Sequence, residues 1–168
     1  MAGDKILLFC GQTSSLKIEK MTSETRPNYF YNQSAVIPFK LEDGKLKLLM
    51  ISNRKRSRWI FPKGIIEQHL TPQQSAAKEA FEEAGIKGKV YSNEIGNYRY
   101  KKWGGVCAVQ VYLLQIEEIL TDWPEANFRN RIWVGIDEAK QLVREDDLKN
   151  IVSNLNFFIS NFSRSSDS

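Results

Sequence analysis

The stretch PKGIIEQHLTPQQSAAKEAFEEAGI, residues 62 to 86, specifies a short helix at both ends and loads it with acid. Thr71 is a ready N-cap, Pro72 suits the first helical position, and Gln74 completes a capping-box pattern. Gly85 supplies the stop. At about 3.6 residues per turn, Glu79, Glu82 and Glu83 share one face beside an apolar stripe of Ala77, Ala80, Phe81 and Ala84. Like charges at these spacings cost a few tenths of a kcal/mol per pair, so the helix gains if a cation sits among them. A hard divalent metal is the natural guest. On spacing alone, a solvated acidic face is the competing reading.

Around this helix the pattern is strand-like. SAVIPFKL and KLKLLMIS flank an EDG turn and predict a hairpin. NRKRSRWIFPKG reads as a basic loop entering a short strand. After the acidic helix, KVYSNEIGNYRYKK and VCAVQVYLLQI read as strands joined at the KKWGG turn, the second nearly continuous in apolar residues as a buried strand is. RIWVGI follows, then a short helix from Asp137 to about Val143 and a longer one from about Glu145 to Phe162. This order predicts an α/β architecture, a mixed sheet covered on both faces by helices. Residues 1–30 read as an N-terminal arm, 31–162 as the domain and 163–168 as a polar tail.

The chain's 168 residues, 42% apolar, suit one domain with a real core. No run approaches membrane-spanning length and the start shows no convincing signal peptide, so the expected location is cytoplasmic, without membrane contact. Cys10 and Cys107 form no CxxC pair and read as reduced thiols. His69 sits in a polar loop and reads as exposed or capping. The net charge of +4, carried despite the acidic helix, puts lysines and arginines elsewhere, available to an anionic partner.

Residues 64 to 86 resemble the signature box of the Nudix hydrolases, G-x5-E-x7-R-E-U-x-E-E-x-G-U with U aliphatic, in register at Gly64, Glu79, Glu82, Glu83, Gly85 and Ile86. Three positions depart: Leu70 replaces the first glutamate, Lys78 the arginine, and Ala80 is small for the aliphatic site. Loss of the acid at 70 together with the softer base at 78 reads as a compensated pair. The resemblance extends through AVIPFK, LLMISNRKRSRWIFPKG and DWPEANFRNRIWVGIDEAKQLV, roughly residues 34 to 145, to the diphosphoinositol polyphosphate phosphohydrolases and related diadenosine polyphosphate hydrolases. Those relatives carry more glycine where Ile65 and Ile66 stand.

The resemblance implies a Nudix α/β/α sandwich and a metal-dependent hydrolase that cleaves phosphoanhydride bonds in a small polyphosphate substrate, an inositol pyrophosphate or a dinucleoside polyphosphate. It implies Mg2+ or Mn2+ held by Glu79, Glu82, Glu83 and the Gly64 carbonyl, with Glu67 a further carboxylate nearby. Glu79 and Glu83 are the candidate catalytic bases. Arginine's planar fork suits phosphate oxygens and lysine supplies a movable charge, so Ser52, Arg54, Lys55, Arg99 and Arg131 are the candidate substrate-binding residues. Asn53, Arg56, Arg58, Lys101, Lys102 and Arg129 stand beside them. Trp59, Trp123 and Trp133 read as packing, and Trp103, at a turn, as the better candidate to meet a ligand ring. Two other functions remain open. The departures at Leu70 and Lys78 would suit a Nudix-fold ligand sensor without turnover. The basic excess would suit an RNA-end pyrophosphohydrolase, with nucleic acid as substrate, although single-strand binding wants more exposed aromatics than Trp103 alone.

Overall fold

The computed structural model describes residues 26–165. Cys10 and most of the expected arm lie outside them. A single tight helical turn, Asn28–Tyr31, opens the described chain. The strands are β1 (Asn32–Glu42), β2 (Lys45–Ser52), β3 (Trp59–Ile60), β4 (Lys63–Ile65), β5 (Ile86–Val90), β6 (Gly96–Lys102), β7 (Gly105–Ile119) and β8 (Arg131–Val134). The helices are α1 (Pro72–Glu79), α2 (Ile136–Leu142), α3 (Asp146–Ser153) and α4 (Leu155–Ser165).

The hairpins form where their turn residues demand. Asp43 and Gly44 between β1 and β2, and Trp103 and Gly104 between β6 and β7, all take positive φ (51°, 72°, 53° and 69°), as a two-residue turn matched to strand twist requires. An aromatic residue in that region is strained. Trp103 is held there by a Tyr31 hydroxyl donating to its carbonyl at 2.8 Å and by the Phe30 ring set edge-on at 5.7 Å.

One eight-stranded sheet runs β3-β2-β1-β7-β5, with β4 on β1, β6 on β7 and β8 on β2. β1 is parallel to β7 and antiparallel to β2, so the sheet is mixed. Its side chains alternate between two cores. Ala35, Ile37, Leu48, Met50, Val109 and Leu113 face α2, α3 and α4 through Ala139, Leu148, Val152 and Leu155. Val36, Leu49, Ile51, Tyr112 and Leu114 face the acidic helix through Ala76, Ala80 and Ala84. The expected sandwich, a mixed sheet between helices, is the architecture found. It buries both faces of β1, which is why SAVIPFK reads as an unbroken apolar run.

Four details differ from the sequence reading. The helix break at Asn154 splits the single long C-terminal helix into α3 and α4, and α4 runs to Ser165, past the expected domain end. The stripe that packs α1 is Ala76, Ala80 and Ala84, not Ala77 and Phe81, which are only half-buried. Beyond Glu79 the helix widens into a single π turn, Ala80–Ala84, before Gly85 ends it at φ 63°; this extra width shifts which side chains face the sheet.

Gly85 allows both that turn and the close approach of Trp123, whose side-chain atoms would lie 2.7 to 2.8 Å from an added Cβ. Gly85→Ala is therefore expected to lower the unfolding free energy by about 2 kcal/mol. Urea titration followed by circular dichroism measures this; an unchanged midpoint would show that the turn relaxes at no cost.

Candidate active site

A cleft of about 1230 Å³ opens beside the acidic helix. The capping box that starts this helix is complete: Thr71 Oγ1 accepts from the Gln74 N–H at 3.1 Å, and Gln74 Oε1 accepts from the Thr71 N–H at 2.9 Å. Glu79, Glu82 and Glu83 line the cleft with Gly64, Glu67, Glu125 and Arg129. Arg54, Lys55, Arg58, Lys63, Lys101 and Lys102 line it as well, with Tyr100 and Trp103.

The three acids have different surroundings. Glu83 is buried, 8% exposed. Its Oε2 accepts the Lys63 N–H at 3.0 Å and its Oε1 accepts from Arg129. Burial pushes its pKa up, against Arg129 and the Lys63 N–H, which favour the ionised form. Glu82 is half-buried and lies 3.8 Å from the Lys78 Nζ. Glu79 has no hydrogen-bond or ion-pair partner among the described residues. Burial, then the neighbouring charges of Glu83, Glu82 and Glu125, raise its pKa to about 8. The backbone of Gly64 approaches it so closely that a Cβ there would sit 1.9 Å from Glu79 Oε1, so any other residue would displace this carboxylate.

These residues fit a hard cation by the chemistry of their donors: oxygens only, gathered on one helix, with the partnerless Glu79 against a glycine backbone. Among the described residues, no three acidic, histidine or cysteine side chains already converge on one point. Arg129 instead donates to Glu83, and the Lys78 Nζ stands 3.8 Å from Glu82.

Lys78 also corrects the reading of the box departures. It donates to Glu67, so the acid absent at Leu70 is supplied three residues upstream. The strand pairing of Gln33 with Ile65, and the Ile66 N–H bonded to the Asn32 carbonyl at 3.0 Å, hold this loop.

The predicted substrate residues divide. Arg54 and Lys55 line the cleft, and Arg54 is bound to Glu125. Arg99 is exposed and does not line the cleft. Ser52 is buried, its hydroxyl accepting the Asn130 N–H at 2.9 Å and its carbonyl a bond from Arg129 at 3.1 Å; it holds the loop below the cleft. Arg131 donates to the carbonyls of Ala84 at 3.1 Å and Leu120 at 3.0 Å and stacks 4.0 Å from the Trp123 ring. It braces the carbonyl end of the acidic helix, where a cation is favoured. Trp123 packs as expected, its Nε1 donating to the Glu83 carbonyl at 3.2 Å. Trp103 lines the cleft, with the Lys102 Nζ 4.1 Å over its ring. His69 is exposed at the mouth.

Sequence reasoning gave no role to Glu125, Lys63, Tyr100 or Gln33. Glu125 holds both Arg129, at 2.5 Å from Nε, and Arg54. Burial raises its pKa, but the two guanidiniums outweigh burial and hold it below the usual range. The Glu125-x3-Arg129 spacing was the available signal. Lys63 donates from Nζ to the Tyr100 hydroxyl at 3.0 Å, and that hydroxyl donates to Gln33 Oε1 at 2.7 Å. Burial lowers the Lys63 pKa to about 8.

Comparison with known proteins decides the family. The NUDIX domain model matches residues 31–155. The chain belongs to the Nudix family. Among its Nudix relatives, Nudix hydrolase 16, mitochondrial, of Arabidopsis thaliana is 37% identical over 117 residues, 64% of each chain. Diphosphoinositol polyphosphate phosphohydrolase 3-beta of Bos taurus is 33% identical over 120 residues, 70% of this chain and 72% of the relative. The chain thus spans roughly two thirds of the length of the curated relatives it matches. A C. elegans Ap4A hydrolase binary complex shares the fold at TM-score 0.67 and 18% identity, covering 78% of this chain and 98% of that one. No helix among the described residues is long and apolar enough to cross a membrane.

The lifted pKa of Glu79 makes a stability prediction. Its folded value of about 8 exceeds the ordinary 4.5, so folding takes up a proton. That contribution is complete below about pH 4.5 and is lost as pH rises through about 8. In a chelator, Glu79→Gln should therefore melt higher than the parent at pH 8.5, with the gap closing towards pH 4.5. A constant gap across that range in thermal melts would place the Glu79 carboxylate in water.

Proposed function

We propose that this Nudix chain hydrolyses a phosphoanhydride bond in a small polyphosphorylated metabolite, an inositol pyrophosphate or a dinucleoside polyphosphate, with Mg2+ or Mn2+ held by Glu79, Glu82, Glu83 and the Gly64 carbonyl. The observation that carries this reading is Glu79: a carboxylate without a protein partner among the described residues, lifted to a pKa of about 8, inside a cleft that Arg54, Lys55, Arg58, Lys63, Lys101 and Lys102 also line. Glu79, Glu82, Glu83 and the Gly64 carbonyl would hold the divalent ion, which when bound would supply charge neutralisation at the transferred phosphoryl group and a more acidic water beside it. Glu79 is the better candidate base, since without a cation both oxygens of Glu83 accept protein bonds and those of Glu79 accept none among the described residues, leaving one oxygen for a proton when the other meets the cation. A nearby cation would also lower its pKa and keep it ionised.

The cationic wall accounts for the substrate. Lys63, Lys102 and Arg58 line the cleft and would meet phosphates beyond the scissile pair. Arg54 and Lys55 would close on the substrate from the loop, with Arg54 exchanging Glu125 for a phosphate. Arg99 and Arg131 leave the proposed set, the first outside the cleft and the second committed to backbone carbonyls. A sensor without turnover is the second reading, favoured by the hold of Arg129 on Glu83. An RNA end is less well served: Trp103 carries Lys102 over its ring. We place the enzyme in the cytoplasm; a fluorescent fusion found in mitochondria would align it instead with its plant relatives.

With Mg2+, the purified protein is expected to hydrolyse inositol pyrophosphates, releasing orthophosphate, or dinucleoside polyphosphates, yielding two nucleotides, faster than ADP-ribose or triphosphate-ended RNA, as chromatography of the products measures. Glu79→Gln should retain the fold and lower kcat by about 10²–10⁴. Near-parental turnover in that variant would remove Glu79 from the chemistry. Binding of these ligands with no turnover in the parent would establish the sensor.

Arg54→Ala should raise the KM for the most highly phosphorylated substrate more than that for ADP-ribose, and more so at low salt. An equal loss on both substrates would show that Arg54 serves only the common diphosphate.

A further inference from the structure

Arg129 is 6% exposed yet reaches the cleft, and each of its three nitrogens donates to a protein oxygen. Nε is bound to Glu125 Oε2 at 2.5 Å, one Nη to the Ser52 carbonyl at 3.1 Å, and the other Nη to Glu83 Oε1. Glu83, itself 8% exposed, commits its second oxygen to the Lys63 N–H at 3.0 Å. The acid proposed above as a metal ligand is therefore already neutralised by an internal cation.

A guanidinium and a divalent ion on one carboxylate repel each other, and burial leaves little water to screen them. Loss of the Glu83 contact would not set Arg129 adrift, because Glu125 and Ser52 would still hold it. Glu125 is itself well anchored, since its N–H donates to the Glu82 carbonyl at 3.0 Å and its other oxygen binds Arg54.

We propose that Arg129 and a divalent cation compete for Glu83, so that cation binding releases one Nη of Arg129 into the cleft, where a substrate phosphate takes it, while Glu125 keeps the guanidinium in place. This rests on the metal reading above. In the metal-free enzyme Arg129 then compensates a buried charge, and in the loaded enzyme it becomes a hydrogen-bond donor to phosphate. Because coupling between two ligands is reciprocal, cation and polyphosphate should each tighten the binding of the other. Arg129 is a positioning residue for Glu83 in the first state and a substrate contact in the second.

The test is a Mg2+ titration of the 15N-labelled full chain, reading arginine Nε–H and Nη–H resonances, with Arg129 assigned by the signals missing in Arg129→Lys. The slowly rotating Nη–H signal of the Glu83 contact should shift or vanish at saturation while the Nε–H signal to Glu125 persists. Both signals unmoved at saturation would overturn the proposal. Calorimetry supplies the second arm: Arg129→Met should bind Mg2+ about tenfold more tightly than the parent. Arg54→Met, which removes a cation bonded to Glu125 but not to Glu83, should change affinity far less. Equal tightening in both variants would reduce the effect to general charge and overturn the competition. If Arg129→Met folds only with Mg2+, the resonance titration of the parent decides alone. Absence of any Mg2+ or Mn2+ binding by the parent would sink the metal reading itself, whereas binding with immobile Arg129 signals sinks only this inference.

Discussion

The carboxylate of Glu83 joins three segments that are distant in sequence. Its oxygens accept from the Lys63 backbone at the start of β4 and from Arg129 in the loop before β8, and its own carbonyl accepts from Trp123. A buried acid left unpaired would be strongly destabilising, so these partners are obligatory. They dock the acidic helix against the sheet at one angle, which in turn sets where Glu79 and Glu82 stand. Arg131 reinforces the arrangement from the other side, capping the end of the same helix through Ala84. Two arginines two residues apart thus serve one helix, one at its acid and one at its carbonyl.

Glu79 shows what this docking costs. The helix is pressed onto Gly64 until no side chain fits between them, and the carboxylate there is desolvated without a partner, which lifts its pKa to about 8. No folding requirement demands an acid at that point; an amide or an alanine would be less destabilising. A group held at a cost to stability, within a cleft, is the mark of a functional position. The contrast with Glu83 is between two acids a single turn apart, one fully partnered by protein and one with no partner among the described residues.

Local chemistry was legible in the sequence and long-range partnership was not. The capping box of Thr71 and Gln74, the Gly85 stop and the Asp43-Gly44 turn depend on residues close in the chain, and each formed as its residues dictate. The box spacing located the acidic face for the same reason. Arg99, Arg131 and Ser52 were read as phosphate ligands from residue type and proximity to motifs, but Arg99 lies outside the cleft, and Arg131 and Ser52 are committed to backbone groups distant in sequence. Lys78 illustrates the point: its partner is Glu67, in the loop, and only the fold brings the two together. The break at Asn154 escaped because no glycine or proline marks it. The packing of α3 and α4 on one core selects it.

Lys63 links the two halves of the site, and it does so by belonging to both. Its backbone N–H is committed to Glu83, on the acidic wall, while its ammonium reaches the Tyr100 hydroxyl on β6, on the basic wall, with Gln33 of β1 behind it. The next residue, Gly64, meets Glu79. The distance between the acids and the first cation of the opposite wall is therefore set by the reach of one side chain on a strand that pairs with β1. A longer or shorter group at 63 would change that distance without altering either wall. Burial that lowers the Lys63 pKa to about 8 also strips water from its ammonium, and a desolvated cation gains more from an arriving anion than a solvated one does. The basic excess of the whole chain, too diffuse to interpret by itself, becomes specific here because one lysine is anchored by hydrogen bonds and its depth is dictated by the sheet.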